Sequence, residues 1–163
     1  MPEIIKYINQ NYKITNLDFE CYILDTSLDK DYIPEFVNKA SSLNKIILFM
    51  GNNEIEYANF FSASGVVLDF SNKEKFPKDL GAIKKLLPKN SIIGLISRNR
   101  RHEAMLTSEL EPDFIIFNAW NDGLNKTIEL LDWYNDFFII QSAVFLKEEN
   151  KDTSQINSDF IIY

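Results

Sequence analysis

The chain has 163 residues, 45% of them hydrophobic, with 13 Phe and 7 Tyr, which suits one domain spanning residues 1–163 with a substantial core. Its formal charge of −7 and pI near 4.8 exclude nucleic acid and anionic membrane surfaces as broad partners, because both select a net basic face. Cys21 is the only cysteine, which excludes an intrachain disulfide and a thiolate-rich metal site and fits an inert core thiol in a reducing cytoplasm.

Residues 1–11 carry acidic and amide side chains and no apolar core of signal-peptide length, so neither secretion nor a membrane span is expected. Short apolar or β-branched runs then recur at 21–25, 45–50, 65–70, 91–95, 113–118, 137–142 and 159–163. Their apolarity is continuous rather than alternating, the mark of strands buried on both faces, as in parallel sheets. Helical spacing separates them. Over 34–43 it gathers Phe36, Val37 and Ala40, over 80–87 Leu80, Ile83 and Leu87, and over 124–134 Leu124, Ile128, Leu131 and Tyr134. Strand starts lie roughly 20 to 26 residues apart without a Gly-, Ser- or Pro-rich linker, so the chain reads as one continuous βαβα layer.

Two architectures satisfy that pattern: a doubly wound open sheet, or a (β/α) barrel with its site on the same strand-end face. About seven strands in 163 residues is short for a barrel that typically needs about 200 or more, so the expectation is a shortened or incomplete TIM barrel. An incomplete barrel exposes sheet edges, and a homodimer or another protein partner is expected to cover the open side.

Arg98-Asn99-Arg100-Arg101-His102 follows the strand at 91–95 and opens a helical segment ending near Leu110. Cations at a helix N-terminus oppose its dipole at a cost of about 0.3–1 kcal/mol, so the run reads either as an anion pocket or as a solvated cluster neutralised by Glu103 and Glu109. His102, the sole histidine, has no nucleophile motif beside it and reads as a surface or packing residue. Asp25 and Asp69 fall at strand ends, where carboxylates serve either as Mg²⁺ ligands or as loop and helix caps. No GxxxxGK[ST], GxGxxG or GxSxG motif is present, and Trp120 and Trp133 read as packing rather than stacking platforms.

Ile92-Ile93-Gly94, a helix carrying Ala104, then Pro112 to Phe117 and finally Lys126 resemble, without a gap, the thiamine phosphate synthase pattern IIGVS-x-H, ADY-hydrophobic and G-x-x-F-x-T-x-T-K. Earlier, Ala63 to Leu68 resembles that family's A-D-G-V-H-L strand, which sets Asn52-Asn53 on its N-D pair; the last two apolar runs take the places of its GGI and A-D-F strands. The resemblance implies a TIM barrel that joins hydroxymethylpyrimidine diphosphate to thiazole phosphate and releases pyrophosphate, with Mg²⁺ as cofactor and a small phosphorylated substrate. By that resemblance Lys126, Asn52, Ser97 and Ser142 are the phosphate- and substrate-binding candidates, joined by Arg98 from the basic run; Asp25 and Asp69 are the candidate metal ligands by their strand-end positions alone.

Several chemical positions differ from the family pattern. The metal-binding Asp becomes Asn53, the basic strand positions become Ile23, Asp25 and Ser27, the two loop threonines become Gly123 and Asn125, and Gln141-Ser142 replace paired glycines. Each lost contact to developing charge is worth a few kcal/mol, so native synthase activity is expected to be weak or absent. The alternative is a non-catalytic binding or interaction protein on the same scaffold.

Overall fold

The computed structural model describes residues 1–72, 76–149 and 152–163. Eight strands appear: β1 (Glu3–Ile8), β2 (Cys21–Asp25), β3 (Ile46–Met50), β4 (Gly65–Asp69), β5 (Ile92–Ser97), β6 (Phe114–Asn118), β7 (Gln141–Phe145) and β8 (Phe160–Ile162). The helices are α1 (Tyr32–Ser42), α2 (Glu54–Phe60), α3 (Gly81–Leu86), α4 (Arg101–Glu109), α5 (Ala119–Asp122) and α6 (Leu124–Phe137). The strands are parallel, follow one another in chain order and close as a barrel. The barrel expected from the sequence is therefore present, with eight strands rather than about seven and with no open edge.

The additional strand is β1. Glu3 and Lys6 interrupt its apolar run, so a search for continuous apolarity passes over it, yet Ile5 and Ile8 are buried and Ile5 to Ile8 pair with Cys21 to Leu24. Closure uses the same segment, where the Glu3 amide donates to the Asp159 carbonyl at 2.9 Å. The run at 137–142 corrects differently. Phe137 ends α6, Phe137 and Ile139 are 69% and 101% exposed, and the strand starts only at Gln141.

By its internal contacts the chain forms two compact units, one of residues 1–4, 69–80 and 94–163, the other of residues 5–68 and 81–93. In the first, α4 and α6 pack on β6, β7 and β8 through Ala104, Ile115, Phe117, Leu131, Tyr134, Val144 and Ile161. Tyr134 meets Phe117 edge-on at 5.2 Å, and its buried hydroxyl shares a 3.1 Å hydrogen bond with Ser108. Gly94 matters here because a Cβ at that position would lie 2.5 Å from the tip of the Phe114 ring. Only glycine leaves that ring its place, where it meets Phe160 edge-on at 5.7 Å.

The second unit follows the same logic. Ile33, Phe36, Val37 and Ala40 recur at i, i+3, i+4 and i+7 along α1 and are all buried, with Phe36 edge-on to Tyr22 of β2 at 5.2 Å. Fully burying side chains of this size stabilises by about 1.5–3 kcal/mol each. α2 turns Tyr57 and the following Phe61 onto Phe49 of β3, at 5.5 and 5.7 Å between ring centroids. With only five glycines, the chain ends its helices on other residues at positive φ: Asn44 after α1, Ser62 after α2, Glu111 after α4.

Candidate functional site

The C-terminal ends of parallel barrel strands are where backbone ladders stop and loops can converge, so polar side chains there are the first to inspect. In the first unit the ends of β4, β5 and β6 supply such a group. Asp69 closes β4 by accepting from both the amide and the hydroxyl of Ser71, at 2.9 and 2.5 Å, an Asx-turn that fixes the loop start. The Ser71 carbonyl, thus placed, accepts a hydrogen bond from Nε of Arg98 just past β5. Ser97 is buried and spends its hydroxyl on the Arg98 carbonyl at 2.9 Å, holding the strand end rather than facing a ligand.

Asn99 links β5 to β6. Its Nδ2 donates to the Asn118 carbonyl at 2.6 Å and to the Thr127 hydroxyl at 3.3 Å, while Thr127 donates to the Gly123 carbonyl at 2.8 Å. Because a carbonyl can only accept, the Asn118 contact fixes which way the Asn99 amide points. Asn118 in turn caps α5, its Oδ1 accepting from the Trp120 amide at 2.9 Å. Ser71, Ser97, Arg98, Asn99, Asn118 and Asn121, with Asn72 and Asp122 at the rim, enclose a polar cavity of about 210 Å³. That lies below the ~300–1,000 Å³ of pockets that hold drug-sized ligands, so the cavity has room for one small polar head group.

Charge inside this site is lopsided. The described ion pairs are Lys45–Glu20 at 2.8 Å and Arg100–Glu103 at 4.0 Å, so Arg98 is not paired with a described carboxylate. Its neighbours in the basic run are spent elsewhere. Arg100 leans on Glu103, Arg101 lies over the Trp133 ring at 5.2 Å, and His102 is exposed on α4. The run therefore divides: Arg98 lines the cavity, and the others belong to the helix surface.

At the strand ends of the second unit the polar groups satisfy one another. The Tyr7 hydroxyl of β1 donates to Asp25 Oδ2 at 2.5 Å, and Asp25 Oδ1 accepts from the Ser27 amide at 2.8 Å. Burial first, then the hydrogen bond to Asp25 and its negative charge, push the Tyr7 phenol well above its ordinary value, so Tyr7 stays protonated and donating. Gly51, at φ +123°, is required beside this pair because a Cβ would sit 2.5 Å from Thr26 Oγ1 and 3.3 Å from Asp25 Oδ1. Cys21, on the same strand as Asp25, has its thiol pushed up to about 12 by burial, which holds it in the protonated form.

The residues selected from the sequence are thus distributed. Arg98 and Ser97 belong to the cavity, and Lys126 is exposed in the first turn of α6 within the same unit. Ser142 is the second residue of β7, at the opposite end of that strand from the loop face; its amide donates to Asp159 and its hydroxyl to Asn135, so it is a packing residue. Asn52 and Asp25 lie in the second unit, with Asn52 exposed in the loop between β3 and α2. The donor sets do not fit Mg²⁺: Asp25 is engaged by Tyr7 of β1 and by Ser27, Asp69 by Ser71 of its own loop, and among the described residues no three His, Cys, Asp or Glu side chains gather as ligands. Trp120 packs edge-on to Phe145 at 5.1 Å and Trp133 against Phe138 at 5.8 Å, as packing residues do. Asn99 enters the sequence reading only as part of the basic run, and Asn118, Ser71 and Tyr7 carry no signal there.

No described helix is long and apolar enough to cross a membrane. No protein-family model matches the chain, and no curated protein matches it. Solved structures do. Tryptophan synthase from M. tuberculosis in its open form superposes with a TM-score of 0.68 at 10% identity, over 99% of this chain and 82% of that one. An aminoacrylate-bound form of the same enzyme gives 0.69 at 11% identity, over 99% and 81%. At such identity the likeness establishes the TIM-barrel fold alone.

Proposed function

We propose that the chain binds a small phosphorylated metabolite at the ends of β5 and β6, with the Arg98 guanidinium as its anion contact. One observation carries this reading. Nε of Arg98 is held by the Ser71 carbonyl inside an amide-lined cavity, and no described carboxylate lies within ion-pair distance of the group, although Asp122 stands at the rim. A guanidinium fixed through Nε still has its Nη donors, the geometry that suits phosphoryl oxygens. The volume of about 210 Å³ suits one phosphoryl head group and leaves little room for a second substrate beside it.

The finer form of this reading is thiamine phosphate synthase chemistry. It rests on the motif resemblance from Ile92 to Lys126, and it carries Mg²⁺ with it as a cofactor to be tested. A non-catalytic form is favoured by a specific feature: Asp25 and Asp69, the residues that would hold a metal, are committed to Tyr7, Ser27 and Ser71.

Calorimetric titration with pyrophosphate, thiazole phosphate and hydroxymethylpyrimidine diphosphate, with and without Mg²⁺, tests the reading. Saturable binding that Arg98→Ala weakens about tenfold or more is expected. A folded sample that takes up none of the three overturns it. Formation of thiamine phosphate from a binding pair would establish the synthase form, and binding without turnover the non-catalytic one.

A further inference from the structure

The second unit carries an apolar groove of about 490 Å³ on its helical surface, well away in character from the polar strand ends. One wall is the start of α1, with Lys30, Ile33 and Pro34; the other is α2 and the residue after it, with Glu56, Tyr57, Phe60 and Phe61. On the second wall Phe60 is 81% exposed, so a large aromatic surface faces solvent at the groove. Phe61 holds it edge-on at 4.9 Å, and Phe61 is itself packed on Phe49 and Tyr57. An exposed aromatic on an apolar groove is the arrangement of an interface anchor, because docking takes its apolar surface out of water.

The charges identify the occupant. Lys30 stands on the α1 wall and Glu56 on the α2 wall, and neither takes part in a described ion pair. A two-fold axis that runs along the groove sets the α1 wall of each copy against the α2 wall of the other. Lys30 then faces Glu56 of the second copy twice, and each Phe60 enters the opposite groove. A patch that carries its own knob, its own hole and both charges is self-complementary, as isologous contacts require. We infer that this face is a homodimer interface, formed by the α1–α2 groove around Phe60.

The test is light scattering of the whole protein at tens of micromolar, with far-UV circular dichroism confirming that each variant is folded. The wild type is expected to be a dimer, and Phe60→Asp to raise its dissociation constant by about a hundredfold, as loss of a central anchor does. Lys30→Glu and Glu56→Lys each bring like charges together and weaken the dimer, and the double exchange restores it. A wild-type monomer at that concentration overturns the proposal. So does a dimer that survives Phe60→Asp, or single charge variants that behave like the wild type.

Discussion

The two units end their strands in opposite ways. In the second, Tyr7, Asp25 and Ser27 consume one another's hydrogen-bonding capacity, with Gly51 close against them, leaving a fixed polar knot. In the first, Asp69 and Asn99 are used to shape loops, and what remains is Arg98 on the wall of a small polar cavity. Both sets sit where barrel enzymes place chemistry, so position alone does not separate a site from a structural cluster. Unspent donors do, because a group already satisfied within the fold gains nothing by meeting a ligand.

The largest effect expected from disturbing this contrast is at Gly51. Alanine there must adopt φ near +123° and push its Cβ against Thr26 Oγ1, so strain and overlap together should cost about 3 kcal/mol. Gly123→Ala is the control. It carries a positive φ of +80° but nothing lies within 4 Å of its Cβ, so it should lose only the strain, about 1–2 kcal/mol. Urea melts of the two variants measure the difference; equal losses would mean that the knot at Gly51 is loose.

Tyr7→Phe comes next. It removes the donor to Asp25 Oδ2 and should destabilise by about 2 kcal/mol near neutral pH, the range for hydrogen bonds to charged groups. It also alters the alkaline limb. Tyr7 has a folded pKa raised above its unfolded value of about 10, so its stabilisation is complete below that pH and is lost as pH rises through it toward the folded value. Stability of the wild type should therefore fall above about pH 10, and the variant should fall less steeply. Tyr22, Tyr32 and Tyr134, also raised by burial, keep a residual slope. Identical slopes in wild type and variant would show that Tyr7 titrates freely.

These residues also show where sequence reading works. β2 is legible to the residue because Tyr22, Ile23 and Leu24 are buried on both faces of its wall; α1, expected over 34–43 and observed over Tyr32–Ser42, is legible through the buried stripe of Phe36, Val37 and Ala40. α2 escaped notice because Ala58 is its one buried residue and its stop is Ser62 at φ 51° rather than a glycine. Residues 137–140 mislead for the reverse reason, since Phe137 and Ile139 stay on the surface while Phe138 packs beside Tyr134 at the end of the helix. At the site, Arg98 stood out because a cation before a helix opposes its dipole. Asn99 and Asn118 did not, because their meeting depends on the register that sets Ser97 opposite Phe117, which local composition does not encode.

Within the open cavity, Arg98→Ala should weaken pyrophosphate binding about tenfold or more while changing thermal stability little, since the lost contact to the Ser71 carbonyl is at the rim of the fold. The same change in the fixed knot, Asp25→Asn, should leave that affinity within about twofold. A loss of binding from Asp25→Asn equal to that from Arg98→Ala would erase the distinction between the two regions.

The smallest effect belongs to Lys126. It is exposed in the first turn of α6 and lies outside the lining of the cavity, so any attraction it exerts on an anion acts through solvent. Lys126→Ala should lower affinity about two- to threefold at low ionic strength and hardly at all in 0.5 M salt, whereas the Arg98 contact, formed inside the cavity, should persist in salt. A tenfold loss from Lys126→Ala that survives added salt would mean that α6 moves its first turn over the bound phosphate. The motif resemblance would then be reporting a site that this arrangement of α6 does not display, and the synthase form of the reading would gain accordingly.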